Sequence, residues 1–139
     1  MSHKKQLTLA WLGSLLTVVL MALPLGVSLT YSPDGVEMHT RLYAYFHPAV
    51  WGMSGNILPF AASLLAAVTA LLLTLRRFGK NPSLMLAKYT AEISLVAVMY
   101  SLLIYRTFSV VGCIIVLIQL MVCGLLISLT PKKQIKSLK

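Results

Sequence analysis

Few residues in this chain could do chemistry, and the most informative of them sit in apolar surroundings. Glu92 is the one acid inside a long apolar stretch; Lys88 precedes it by four residues and Tyr89 by three. On a helix these spacings share one face, so the three side chains meet. A carboxylate inside a membrane segment commonly marks a proton or cation path. A local Lys88–Glu92 pair, with the Tyr89 hydroxyl beside it, satisfies the same carboxylate without any transport role, and is the simpler account. Gln119 is the most central polar side chain of the last apolar run. If that run lies antiparallel to the one before it, Ser94 falls at matching depth. An unpaired amide in hydrocarbon costs several kcal/mol, so Gln119 must face protein or water. Glu92, Lys88, Tyr89, Gln119 and Ser94 thus form a candidate intramembrane polar site.

A second group is polar and lies between the first two apolar runs. Asp34, Glu37, His39 and His47 offer two carboxylates and two imidazoles, which suit zinc. Their spacing lacks any compact H-x₃-H pattern, so they are weak candidates and no metal is expected. Cys113 and Cys123 share one run, ten residues apart. On a helix that separates them by about 15 Å, beyond disulfide reach. They read as small apolar side chains. The sequence holds no phosphate-cradling glycine loop, nucleophile elbow or H-E-x-x-H pattern, so neither catalytic residues nor a cofactor are expected.

The elements that must position these residues follow from composition. Of 139 residues, 58% are hydrophobic and 11% charged, with a net charge of +9. A soluble domain carries roughly a quarter charged residues, so a soluble enzyme or a disordered tail is excluded. Charge-free gaps run from Lys5 to Asp34, Arg41 to Arg76, Glu92 to Arg106 and Arg106 to Lys132. A spanning helix needs about 20 mostly apolar residues. Three gaps suffice alone. The third needs extension back to Leu84, which carries Glu92 and Lys88 into the span, where Lys88 can snorkel.

The expected fold is therefore all-α, an integral membrane four-helix bundle in a single domain over residues 1–139. Its spans are approximately 7–29, 56–75, 84–105 and 110–129, with an outside loop at 30–55 and a basic tail at 130–139. Pro82 is placed in the first turn of the third span, Asn56 as the cap of the second, and residues 106–109 as a tight turn. Ten of the twelve basic residues fall on one side; only Arg41 and Arg106 do not. The positive-inside rule then sets both termini in the cytoplasm. Juxtamembrane lysines attract anionic lipid, which accounts for the tail without nucleic acid. Residues 1–28 also resemble a signal peptide, but the apolar run exceeds the usual length of about 7–15 residues and is expected to stay.

The outside loop is rich in aromatics. Ser32–Gly35 reads as a β-turn, and Val36–Trp51 as a short interfacial helix or a cap over the bundle mouth, split in two at Pro48. Within the bilayer, close packing of small residues must join the helices. Ala62, Ala66 and Ala70 form one stripe, Gly124 and Ser128 another, and Gly13 with Thr17 a third. These stripes serve a bundle, a membrane-protein partner or a second copy of the chain. The functional expectation is a non-catalytic helix-packing or accessory subunit in a bacterial cytoplasmic membrane. The alternative is a small oligomeric transporter or channel that uses Glu92.

Overall fold

The computed structural model describes residues 1–32, 34–47, 57–104 and 109–130. Its helices are α1 (His3–Ala22), α2 (Leu58–Arg77), α3 (Leu84–Ile104) and α4 (Val110–Leu129), with strands β1 (Val27–Tyr31) and β2 (His39–Tyr43) between α1 and α2. All four helices are long and apolar enough to cross a membrane. A 20-residue helix rises about 30 Å, the thickness of a hydrocarbon core.

Each helix end has a local cause. Pro24 lacks an N–H and forces the residue before it out of the helical region, and Leu23 is extended (φ −73°, ψ 142°). The first helix therefore stops at Ala22, not at residue 29. Pro59 lies in the first turn of α2, where its missing N–H costs nothing. Pro82 stands before α3 rather than inside its first turn; Ser83 caps that helix, accepting from the Leu86 N–H at 3.3 Å. Ser109 caps α4 and accepts from Gly112 N–H at 2.9 Å. Asn56, residues 48–55, residues 105–108 (with most of the turn expected at 106–109) and residues 131–139 of the expected basic tail lie outside the described residues.

Residues 36–47 depart from the helix expected there, so the fold is not wholly α. β1 and β2 pair antiparallel, with Val27 opposite Tyr43, Leu29 opposite Arg41 and Tyr31 opposite His39. The physical reason is composition: Val, Thr and Tyr favour a pleated surface, and each strand finds a partner. Thr30 and Thr40 face each other with hydroxyls 3.1 Å apart. Gly35 supplies the left-handed φ of +69° in the connection.

The helices form a closed ring in which α1 packs on α2 and α4, and α3 packs on the same two. Neighbours run antiparallel: Trp11 meets Thr74, Thr69 meets Thr90, and Ser94 meets Ala62. Lys4, Lys5, Arg76, Arg77 and Lys80 therefore share one end, and the hairpin sits at the other. The core is two apolar clusters. Met21, Val98, Leu102 and Ile115 belong to the one near the hairpin. Ala10, Leu73, Leu95 and Leu126 belong to the one near the basic end. The outward faces are apolar too, with Leu16, Leu71, Val96 and Leu117 exposed. Apolar outside and polar at the centre is the arrangement a lipid solvent favours.

Candidate functional site

Between the two apolar clusters lies a layer of buried polar side chains drawn from every helix. Ser14 and Thr17 come from α1, Thr69 from α2, Thr90 and Ser94 from α3, and Gln119 from α4. Gln119 Nε2 donates to Ser94 Oγ at 2.8 Å, and Ser94 Oγ donates to the Ala62 carbonyl at 2.8 Å. One chain of hydrogen bonds thus ties α4 to α3 and α3 to α2. The Thr69 and Thr90 hydroxyls lie 2.8 Å apart, giving α2 and α3 a second tie. Nearer the basic end, Trp11 Nε1 donates to Thr74 Oγ1 at 2.9 Å and links α1 to α2. In a lipid solvent, where apolar faces gain nothing by association, such bonds would be the cohesion available to these helices.

Ala62, Ala66 and Ala70 are all buried on the inner face of α2. Gly13 is closed over by α4: a Cβ there would stand 2.8 Å from Val122 Cγ2. Gly124 and Ser128 lie elsewhere. Both are exposed on the outer side of α4, and a Cβ on Gly124 would meet nothing within 4 Å.

Lys88, Tyr89 and Glu92 are outside the polar layer. Lys88 Nζ stands 3.8 Å from Glu92 Oε1, and 5.7 Å from the centre of the Tyr89 ring. The Glu92 side chain is 35% exposed and that of Lys88 16%. The pair therefore sits at the bundle margin, toward the basic end of α3, and is separate from the Gln119–Ser94 chain.

At the hairpin end, His39 Nε2 is 3.9 Å from Glu37 Oε2, both exposed. The His47 ring lies 5.1 Å from that of Tyr43. Among the described residues, no three His, Cys, Asp or Glu side chains are grouped to hold a metal ion. Asp34 lies exposed in the connection between the strands. Cys113 is exposed and Cys123 buried, both as free thiols.

Several structural residues carried no signal in the sequence. Tyr45 is buried to 1% exposure, its N–H bonded to Met21 O at 3.0 Å. Its ring lies against Gly26, where a Cβ would stand 2.4 Å from Cε2. The Gly26 carbonyl accepts from Ser109 Oγ at 2.6 Å. This joint seats the hairpin on α1 and α4. Burial raises the Tyr45 phenol pKa well above its ordinary value. Ser14 and Thr69 were also missed; their signal was position, since Thr69 follows Ala66 by three residues on one helix face.

At the opposite end an open recess of about 520 Å³ is lined by His3, Arg76, Asn81, Pro82, Ser83 and Ser128, among others. Arg76 Nη1 donates to the Pro82 carbonyl there at 3.2 Å. Compared with known families, curated proteins and solved structures, the chain has no match.

Proposed function

We propose that this chain is a non-catalytic four-span membrane protein that acts through helix contacts, as an accessory subunit of a membrane complex or as an assembly of its own copies. The observation that carries the reading is a contrast between small-residue faces. The small residues of α1 and α2 are consumed inside the bundle, while Gly124 and Ser128 are exposed on α4, with open space around Gly124 and Ser128 at the edge of the basic-end recess; we read Gly124 as the centre of a small-residue notch. Close backbone approach at such notches is how membrane helices associate. The polar side chains point the same way, because most of them are spent on ties between the chain's own helices. The clustering of basic residues supports placing both termini in the cytoplasm, in our reading of a bacterial cytoplasmic membrane. The recess around Arg76 and His3 suits anionic lipid headgroups.

The test is Gly124→Leu. The bundle should keep its thermal stability, because the new side chain enters open space. The assembled species should fall to monomer in native nanodiscs sized by mass photometry. A variant with unchanged assembly would remove the notch from the mechanism.

The transport reading is kept for one observation, the partial exposure of Glu92 at the bundle margin. Its test is flux in proteoliposomes. Glu92→Gln abolishes flux if the carboxylate couples transport, and flux equal to wild type would sink that reading.

A further inference from the structure

At the centre of the polar layer is a small void of about 10 Å³, its wall including Ser14, Thr17, Ala66, Thr69, Gln119 and Val122. Every helix but α3 supplies a polar side chain to that wall, and Ala91 of α3 completes it. Gln119 is 5% exposed, and its Oε1 has no hydrogen-bond partner among the described residues. The orientation of the amide is set by Ser94. The one Ser94 hydroxyl proton goes to Ala62 O, so the amide must present its nitrogen to Ser94 and its oxygen away from it.

The chemistry of the wall defines the occupant. Ser14 donates its proton to Trp11 O at 2.8 Å, and Thr17 donates to Gly13 O at 2.9 Å. Thr69 sends its proton to Leu65 O or to Thr90. No hydroxyl is left to donate to Gln119 Oε1, and each offers only lone pairs to the void. A matching guest must donate at least two hydrogen bonds and be no larger than one probe sphere. A volume of about 10–15 Å³ on this measure holds one water molecule, which needs two to four polar partners. An orphaned amide oxygen in a low-dielectric interior supplies the driving force.

We infer that the void is a binding site for a single water molecule, which donates one proton to Gln119 Oε1 and the other to a hydroxyl oxygen of Ser14, Thr17 or Thr69. Through Ser14 or Thr17 the water extends the Gln119–Ser94–Ala62 chain to α1; through Thr69 it adds a further tie to α2.

The test uses the full chain in phospholipid nanodiscs, labelled at alanine, valine and isoleucine methyl groups, with water itself as the probe. Magnetisation transfer from water should reach the methyls of Ala66 and Val122. It should be absent at Val98 and Ile115, which are at least as buried but do not line the void. Gln119→Met keeps the side-chain volume and all three hydroxyls but removes the acceptor, and the transfer should be lost. Gln119→Asn keeps a carbonyl and should retain it. Silence at Ala66 and Val122 in the wild type overturns the inference, and needs no variant to fold. Undiminished transfer in Gln119→Met also overturns it, by assigning the signal to hydroxyl exchange. Loss in Gln119→Asn equal to that in the Met variant does the same, by assigning it to volume.

Discussion

At the scale of single residues, the polar layer concentrates interactions in a few atoms. Ser94 both accepts from Gln119 and donates to Ala62, so one hydroxyl carries two helix–helix ties. Ser94→Ala is expected to cost about 1–2 kcal/mol, the upper range for interhelical bonds in membranes, because it leaves the Gln119 amide unpaired as well. Reversible unfolding in mixed micelles measures this, and a change no larger than that of Thr30→Ala on the exposed hairpin would refute it. The sequence made the Gln119–Ser94 meeting legible because antiparallel neighbours joined by a short turn share a depth scale. Thr69 with Thr90, and Trp11 with Thr74, were not legible. Those contacts depend on how each helix is rotated about its axis, which charge gaps do not encode. Tyr45 adds a pH signature at this scale. A phenol whose pKa is raised on folding leaves stability intact below its ordinary value of 10.0; stability is lost as pH climbs above that value toward the folded one. Ultraviolet titration of the wild type should show the same number of phenolates as Tyr45→Phe, until the hairpin end loosens under alkali and the wild type gains one.

At the scale of elements, α4 occupies the span expected of it, because its interior is free of charge and its N-terminus begins at a serine cap. The hairpin was the element least legible. Its residues alternate aromatic, hydroxyl and basic side chains, a mixture that also suits an interfacial helix. What decides for strands is the pairing of 27–31 with 39–43, in which residues 27–29, continuous with the first apolar run in the sequence, find a partner strand. The joint that seats the hairpin is sterically exacting. Gly26→Ala would drive a methyl into the Tyr45 ring and should destabilise the protein by about 1–3 kcal/mol, the usual cost of overpacking. Gly35→Ala, with open space around it but a φ of +69°, should cost about 1 kcal/mol. Thermal unfolding of the two variants checks the order, and the reverse order would place the strain in the turn instead of the joint.

At the scale of the whole molecule, the four helices, the ring and the shared basic end follow from alternating apolar runs and clustered lysines. Orientation is tested by single cysteines placed in a Cys113→Ala, Cys123→Ala background. Asp34→Cys should react with an impermeant maleimide from outside intact cells, and Lys80→Cys only after permeabilisation; the opposite pattern would invert the topology. The polar layer has one more consequence, for sliding. One helical turn is a rise of about 5.4 Å. Displacing α4 by that amount toward the hairpin would move Gln119 from Ser94 toward Val98, inside an apolar cluster. That slip strands an amide among apolar side chains, whereas a slip the other way carries it toward the Thr90 hydroxyl. Helices otherwise coated in interchangeable leucines and valines are thereby indexed in one direction, and the layer acts as a stop against sliding α4 toward the hairpin.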